Sequence, residues 1–382
     1  VGNPTTGTCS ATHTYRDDLG NTLFAVSVTV IDDEDGRGVN SEDLRVRNAV
    51  PVVETPTLSP SLTRDEGSAV TVSANFSDLG ADTHQCTVDF GDGHSVEGNV
   101  SVEDVGNPTT GTCEAGHTYE DDRGIGTFTV IVTVTDDENG VGSNSEALEV
   151  INMAPEVDTP KFSTGTPVDE GTEVTVSADF SDPGRDSHNC VVDFGDEQID
   201  GTVTETQGNP TTGTCSATHK YEDNAAAGPF TVNVMVIDDE EKTGSRSRVL
   251  VVNNVAPTVT AAGDVEISEG DILDASGSFT DPGMDTWTAA VDYGDGSAVQ
   301  SLSLGSDKTF NLNHQYGDNG EFTVNVTVTD DDGGVGSDSM VVRVNNALPM
   351  VDAGPDVEIP RYPETGLGVL NTSGLFTDPG AD

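Results

Sequence analysis

The octapeptide GNPTTGTC occurs three times in this chain, at Gly2–Cys9, Gly106–Cys113 and Gly208–Cys215. Other marks recur in step with it. A proline joint returns at Pro51, Pro155, Pro257 and Pro349, with spacings of 104, 102 and 92 residues. VDFGDG at Val88–Gly93 comes back as VDFGDE at Val192–Glu197 and as VDYGDG at Val291–Gly296. His-x-Tyr stands at His13/Tyr15, His117/Tyr119, His219/Tyr221 and His314/Tyr316. Many motifs repeated in one order, at a period of about 100 residues, describe a row of small domains. The 382 residues divide into the C-terminal half of a repeat (1–49), three whole repeats (50–152, 153–254 and 255–346) and the opening part of a further one (347–382).

Each whole repeat reads as all-β. Val174–Phe180 is VTVSADF and Phe230–Ile237 is FTVNVMVI, the two-residue alternation of a strand with one buried face. About seven such runs per repeat, parted by Gly, Asp, Asn and Pro, predict a sandwich of two antiparallel sheets. No window sustains a helical period. A hydrophobic content of 33% with 43 Gly and 18 Pro would suit disorder if the apolar residues were scattered. Gathered into alternating runs, they supply one small core per repeat.

With 68 Asp and Glu against 15 Lys and Arg, the net charge is −53. Nucleic acid and anionic membrane are therefore poor partners, since both are held by basic patches. No run of about 18 apolar residues is present to span a bilayer as a helix. Val1 is not followed by a charged-then-apolar leader, so any export signal is expected outside this stretch. The sequence opens and closes inside repeats, as a piece of a longer repetitive polymer would.

The strand ending in VDFGDG, the following His-x-Tyr and the strand FTVNVTVTDDDGG at Phe322–Gly334 together resemble the PKD (polycystic kidney disease) domain family, over essentially the whole chain. The resemblance implies tandem immunoglobulin-like β-sandwiches forming an elongated rod, of the kind strung on microbial surface proteins and secreted enzymes. It implies assembly, spacing, adhesion or protein and glycan contact rather than catalysis. Two departures are a Val (Val88, Val192, Val291) where the family often has Trp, and Glu197 in place of the last Gly of the turn.

Five cysteines are present. Cys86 and Cys190 lie two residues before the VDFGD motif, and Cys113 and Cys215 lie four before the motif histidine; the third repeat has Ala289 and Phe310 at those places. Joint presence and joint absence predict the pairs Cys86–Cys113 and Cys190–Cys215, against the alternative of buried free thiols. No C-x-x-C spacing favours a metal instead. Disulfides point to an extracellular or cell-surface location, and each would close a loop worth roughly 3 kcal/mol in the chain-entropy model. N-x-S/T sequons fall at Asn75, Asn99, Asn325 and Asn371; Asn99, nearest a turn, is the best glycosylation candidate.

The carboxylates gather in turns. One set is SDLGAD (Ser77–Asp82), SDPGRD (Ser181–Asp186), TDPGMD (Thr280–Asp285) and TDPGAD (Thr377–Asp382); a second is IDDEDG, TDDENG, IDDEEK and TDDDGG. Strand parity puts both sets at the leading end of a repeat. Glu66, Glu170 and Glu269, and the acids Glu120, Asp121 and Asp122 after Tyr119, fall at the trailing end. Successive repeats then meet across crowded anionic joints, where like charges repel unless neutralised. Calcium, a hard cation with six to eight oxygen ligands, is the expected neutraliser. The expected ligands are Asp78, Asp82, Asp136 and Asp137 in the first whole repeat. Their equivalents are Asp182, Asp186, Asp238 and Asp239, then Asp281, Asp285, Asp330 and Asp331. Two alternatives remain open: aspartates that cap turns, and adaptation to salt. His84 and His188 are read as partly buried polar residues rather than ligands, and the motif Tyr as a corner residue of the sandwich. The lone Trp287 is weak support for a sugar platform.

No nucleophile with a base, phosphate loop or zinc pattern is found, and no enzyme activity is expected. The leading reading is a structural component of an extracellular or cell-surface fibre, self-associating or touching other surface proteins laterally. The alternative is an adhesive spacer array, binding carbohydrate or protein, within a larger secreted protein or hydrolase.

Overall fold

A computed structural model describes residues 4–18, 20, 22–104, 106, 108–224, 228–359 and 370–380. Gly2 and Asn3 of the first octapeptide, Asn107 of the second and Asp382 of the last TDPGAD lie outside these. Among the described residues every regular element is a strand.

The second whole repeat has the clearest two-sheet form. One sheet runs Glu156–Val157, Glu173–Asp182, Thr211–Lys220, Thr202–Thr206; the other runs Gln198–Asp200, His188–Asp193, Phe230–Asp238, Thr243–Leu250. All pairs within both are antiparallel. The third repeat is similar, with the Val265–Ser268 strand pairing parallel to Val335–Asn345. In the first, the long strand Ser95–Asp104 pairs with His84–Asp89 and then with Thr109–Thr118, so it crosses from one sheet to the other. The head contributes a hairpin of Leu23–Ile31 with Arg37–Arg45, and the tail a short pair of Met350–Asp352 with Leu375–Thr377.

Alternation in the sequence becomes alternation in burial. In Ala69–Asp78 the side chains of Val70, Val72, Ala74, Phe76 and Asp78 are buried. Each whole repeat holds its own core, centred on Val88, Phe90 and Val132, on Val192, Phe194 and Val234, or on Val291, Tyr293 and Val326. The motif tyrosines close these cores: Tyr119, Tyr221 and Tyr316 donate their hydroxyls to the carbonyls of Phe90, Phe194 and Tyr293 at 2.8, 3.0 and 3.2 Å. The GDG aspartates Asp92, Asp196 and Asp295 pair with His117, His219 and His314 at 2.7 to 2.9 Å, which couples the two motifs across the sandwich.

Cys86 is bonded to Cys113 and Cys190 to Cys215. A glycine sits over each bridge. A Cβ on Gly98 would lie 2.5 Å from Cys86 Sγ, and one on Gly201 would lie 2.5 Å from Cys190 Sγ. In the third repeat Phe310 is buried and Ala289 pairs with Leu302, so the glycine disappears together with the sulfurs it accommodates.

Candidate metal centres at the joints between repeats

The hairpin aspartates fold back on their own turns. Asp136 Oδ1 accepts the N–H groups of Glu138 (3.0 Å) and Gly140 (2.6 Å), and its Oδ2 accepts Asn48 Nδ2 from the linker at 2.9 Å. Asp238 does the same with Glu240, Lys242 and Asn152, and Asp330 with Gly334 and Asn254. The next residues, Asp137, Asp239 and Asp331, accept the N–H of Thr83, Ser187 and Thr286 at 2.8 to 3.1 Å. These six, expected as ligands, each accept at least one backbone N–H through Oδ1. A tight hairpin leaves backbone N–H groups unsatisfied, and a short carboxylate answers them. The linker Asn side chains add a tie from each incoming linker to the loop behind it.

Asp78 and Asp182 are buried and Asp281 is half-buried. One oxygen of each faces a ring nitrogen: His84 at 3.1 Å, His188 at 3.0 Å and Trp287 Nε1 at 3.1 Å. The histidines are buried, as the sequence suggests. Trp287 is half-buried, and the Lys308 ammonium lies 4.2 Å from its ring centroid, which removes it as an open sugar platform.

The second aspartate of each DPGxD-type loop lies at the joint. Asp82, Asp186 and Asp285 are buried, and each, like Asp78 and Asp182, keeps at least one oxygen without a hydrogen-bond partner. At the joint between the first two whole repeats, the unpartnered buried oxygens are Glu66 Oε2, Asn152 Oδ1, Asp182 Oδ1, Asp186 Oδ2 and Glu240 Oε2. Among the described residues, Arg64 Nε apart, every buried side-chain polar atom lacking a partner is an oxygen at one of the joints. Buried oxygens without partners are costly, and here they concentrate where two repeats meet.

That joint is also closed by direct contacts. Glu66 Oε1 accepts the N–H of Met153, Asn209 Nδ2 donates to Gly67 O at 3.0 Å, and Arg185 pairs with Glu120 at 3.2 Å. The Asn209 contact gives the GNP segment of the repeated octapeptide a role as a docking loop. At the following joint Val255 donates to Glu170 Oε1 at 2.7 Å, and Met284 N to Glu222 O at 2.8 Å.

Crowding shifts the acids upward. Burial raises Glu66 to about 8 against the pull of the Met153 N–H, with Asp186 and Asp182 adding to the rise. Burial and then Asp182 and Glu240 carry Asp186 to about 7, and burial with Asp239 carries Glu240 to about 7. Asp82 rises to about 6 and Glu138 to about 7 by burial and neighbouring aspartates. Asp285 rises to about 7 through burial and a proton shared with Asp281. Such groups hold protons near neutrality unless a cation takes their place.

Potential ligand atoms within 4.8 Å of one another form the sets Asp17/Asp82/Glu138, Asp121/Asp122/Glu240, Asp182/Asp186/His188 and Glu170/Asp281/Asp285. Of the expected ligands, the structure brings Asp82, Asp182, Asp186, Asp281 and Asp285 into these sets. The ligand expectation passed over Glu138, Glu240 and the Glu-Gly acids. The third acid of the TDDE and IDDE hairpins, alternating in side with the capping aspartate, was the available signal. Asn99 is exposed, yet it lies within the Ser95–Asp104 strand opposite Glu114 rather than at a turn.

No curated protein matches the chain. Among solved structures, it is similar to a tetra-tandem repeat from the extending region of a large adhesion protein (17% identity, 87% of this chain and 89% of that one, TM-score 0.40). It is also similar to an I-band fragment of titin (13%, 76% and 98%, 0.33) and to an ICAM-5 ectodomain fragment (17%, 85% and 84%, 0.37). The PKD domain family matches residues 254–344, the third whole repeat. The two preceding sandwiches carry the same GDG-type turn, the same aspartate–histidine link and the same corner tyrosine, so the chain is a tandem array of PKD-type immunoglobulin-like repeats.

Proposed function

We propose that this chain is a structural segment of an extracellular fibre, an array whose repeats are fixed end to end and whose anionic joints are neutralised by calcium. The observation that carries this reading is the double nature of the joints. Linker asparagines and the Glu-Gly turn tie neighbours together, helped by the GNP loop where the first two whole repeats meet, while buried carboxylate oxygens are left with no protein partner. A chain built for catalysis or for a single ligand has no reason to repeat that arrangement at each joint. Calcium fits the donor set, which is oxygen-rich and carboxylate-rich.

The two disulfides suit an oxidising compartment. No helix among the described residues is long and apolar enough to cross a membrane, and the strong negative charge disfavours nucleic acid. Sheet edges left open along the array are available for lateral contacts between copies. Electron microscopy of the purified protein in millimolar calcium tests this reading. Regular filaments or bundles are expected. Rods that stay single at every concentration would contradict the fibre and favour the adhesive spacer instead, with its glycan or protein partner.

A further inference from the structure

The recurring cation site belongs to two repeats at once. At the joint between the first and second whole repeats, a Cβ placed on Gly184 would lie 2.5 Å from Asp186 Oδ2 and 2.5 Å from Glu66 Oε2. Those two oxygens, from different repeats, are therefore no more than about 5 Å apart, the span of two bonds from a hard cation at roughly 2.3–2.6 Å each. Both atoms are buried and without a partner; Glu66 is 1% exposed and Asp186 is 2% exposed. The glycine keeps the space between them open.

A similar approach occurs at the next joint, where the Asp285 oxygens are unpartnered and Glu170 accepts backbone N–H groups from Val255 and Asn224. A Cβ on Gly283 would lie 2.6 Å from Asp285 Oδ2 and 3.0 Å from Glu170 Oε1. At the joint after the third repeat, one on Gly380 would lie 2.7 Å from Glu269 Oε2, which also lacks a partner. At the joint before the first, Asp17 of the head meets Asp82 and Glu138 of the following repeat. No Lys or Arg among the described residues forms an ion pair with Glu66, Asp186, Glu240, Glu170 or Asp285.

We infer that one divalent, oxygen-liganded cation of the calcium class binds across each of the two joints between whole repeats, liganded by the Glu-Gly glutamate of one repeat and the last aspartate of the DPGxD-type loop of the next. This rests on the calcium reading above and moves the site from the interior of one repeat to the contact between two. The bound ion then makes the angle between neighbours part of the coordination geometry. Removing it frees the joint without unfolding either sandwich.

The test is a calorimetric titration of calcium into the intact, chelator-treated chain, comparing wild type with Glu66→Gln and Asp186→Asn. Both variants are expected to bind one ion fewer than wild type. If Asp186→Asn loses a site and Glu66→Gln keeps the full number at unchanged affinity, the ion sits within one repeat. The cross-joint assignment then fails while calcium binding stands. If wild type takes up no calcium at millimolar concentration, both fail, and the joints are filled by protons. Should Glu66→Gln not fold, as judged by circular dichroism, Glu170→Gln puts the same question to the following joint.

Discussion

Trp287 donates its indole N–H to Asp281 Oδ2 at 3.1 Å, in the position where the first two repeats set His84 against Asp78 and His188 against Asp182. An aspartate facing a ring nitrogen is common to all three repeats, buried in the first two and half-buried in the third; only the donor changes. His188 also pairs with Glu205 at 2.9 Å. Burial pushes its imidazole down, but the hydrogen bonds to Asp182 and Glu205 outweigh it and hold the pKa above the ordinary value.

His188 should therefore titrate above about 6.5 in the chelated protein, as read by NMR. Its stabilising effect is complete below the unfolded value and fades as pH rises through the folded one. His188→Ala leaves Asp182 without its donor and should cost about 1–3 kcal/mol. His188→Trp, which restores an N–H donor, should cost less. Equal losses in thermal melts would show that the donor does not matter.

The joint acids give the chelated chain an unusual pH dependence. Glu66, Asp186, Glu240, Asp82, Glu138 and Asp285 all have raised values, between about 6 and 8. Their folded state holds protons that the unfolded chain gives up near pH 4. The associated stability is thus present below pH 4 and lost as pH climbs to about 8. Melting temperatures in chelator should fall across that window. Millimolar calcium should remove most of the fall, whereas potassium chloride of equal ionic strength should not. Equal rescue by both salts would reduce the effect to screening.

The disulfides and their glycines form a coupled unit. Replacing Cys190 and Cys215 by Ala should cost about 3 kcal/mol. Gly201→Ala in the oxidised protein pushes a Cβ to 2.5 Å from Cys190 Sγ and should cost about 1–3 kcal/mol. In the cysteine-free background that cost should largely vanish. Simple additivity in denaturant melts would disprove the clash.

Much of this was legible in the sequence because it is periodic. Alternation gave the strands, and the paired loss of Cys at Ala289 and Phe310 gave the disulfide partners. Parity placed Glu66 and the SDPGRD loop at facing ends. What periodicity leaves undetermined is which oxygen of a crowded turn points inward. Asp136 and Asp137 look as eligible as Asp82 in a sequence. Backbone N–H groups decide it, the hairpin's own for Asp136 and that of Thr83 in the facing loop for Asp137, while Asp82 is left for the joint. The position of Asn99 was hidden for a similar reason: the Ser95–Asp104 strand runs on through it to cross between sheets.

Small-angle X-ray scattering of the intact chain, in calcium and then in excess chelator at the same ionic strength and pH 8, tests the role of the joints most directly. An extended particle with a well-defined maximum dimension is expected in calcium. In chelator a broadened spread of dimensions is expected, with the sandwiches still folded at the temperature of the measurement, and recovery when calcium is returned. Superimposable profiles in the two conditions would contradict it.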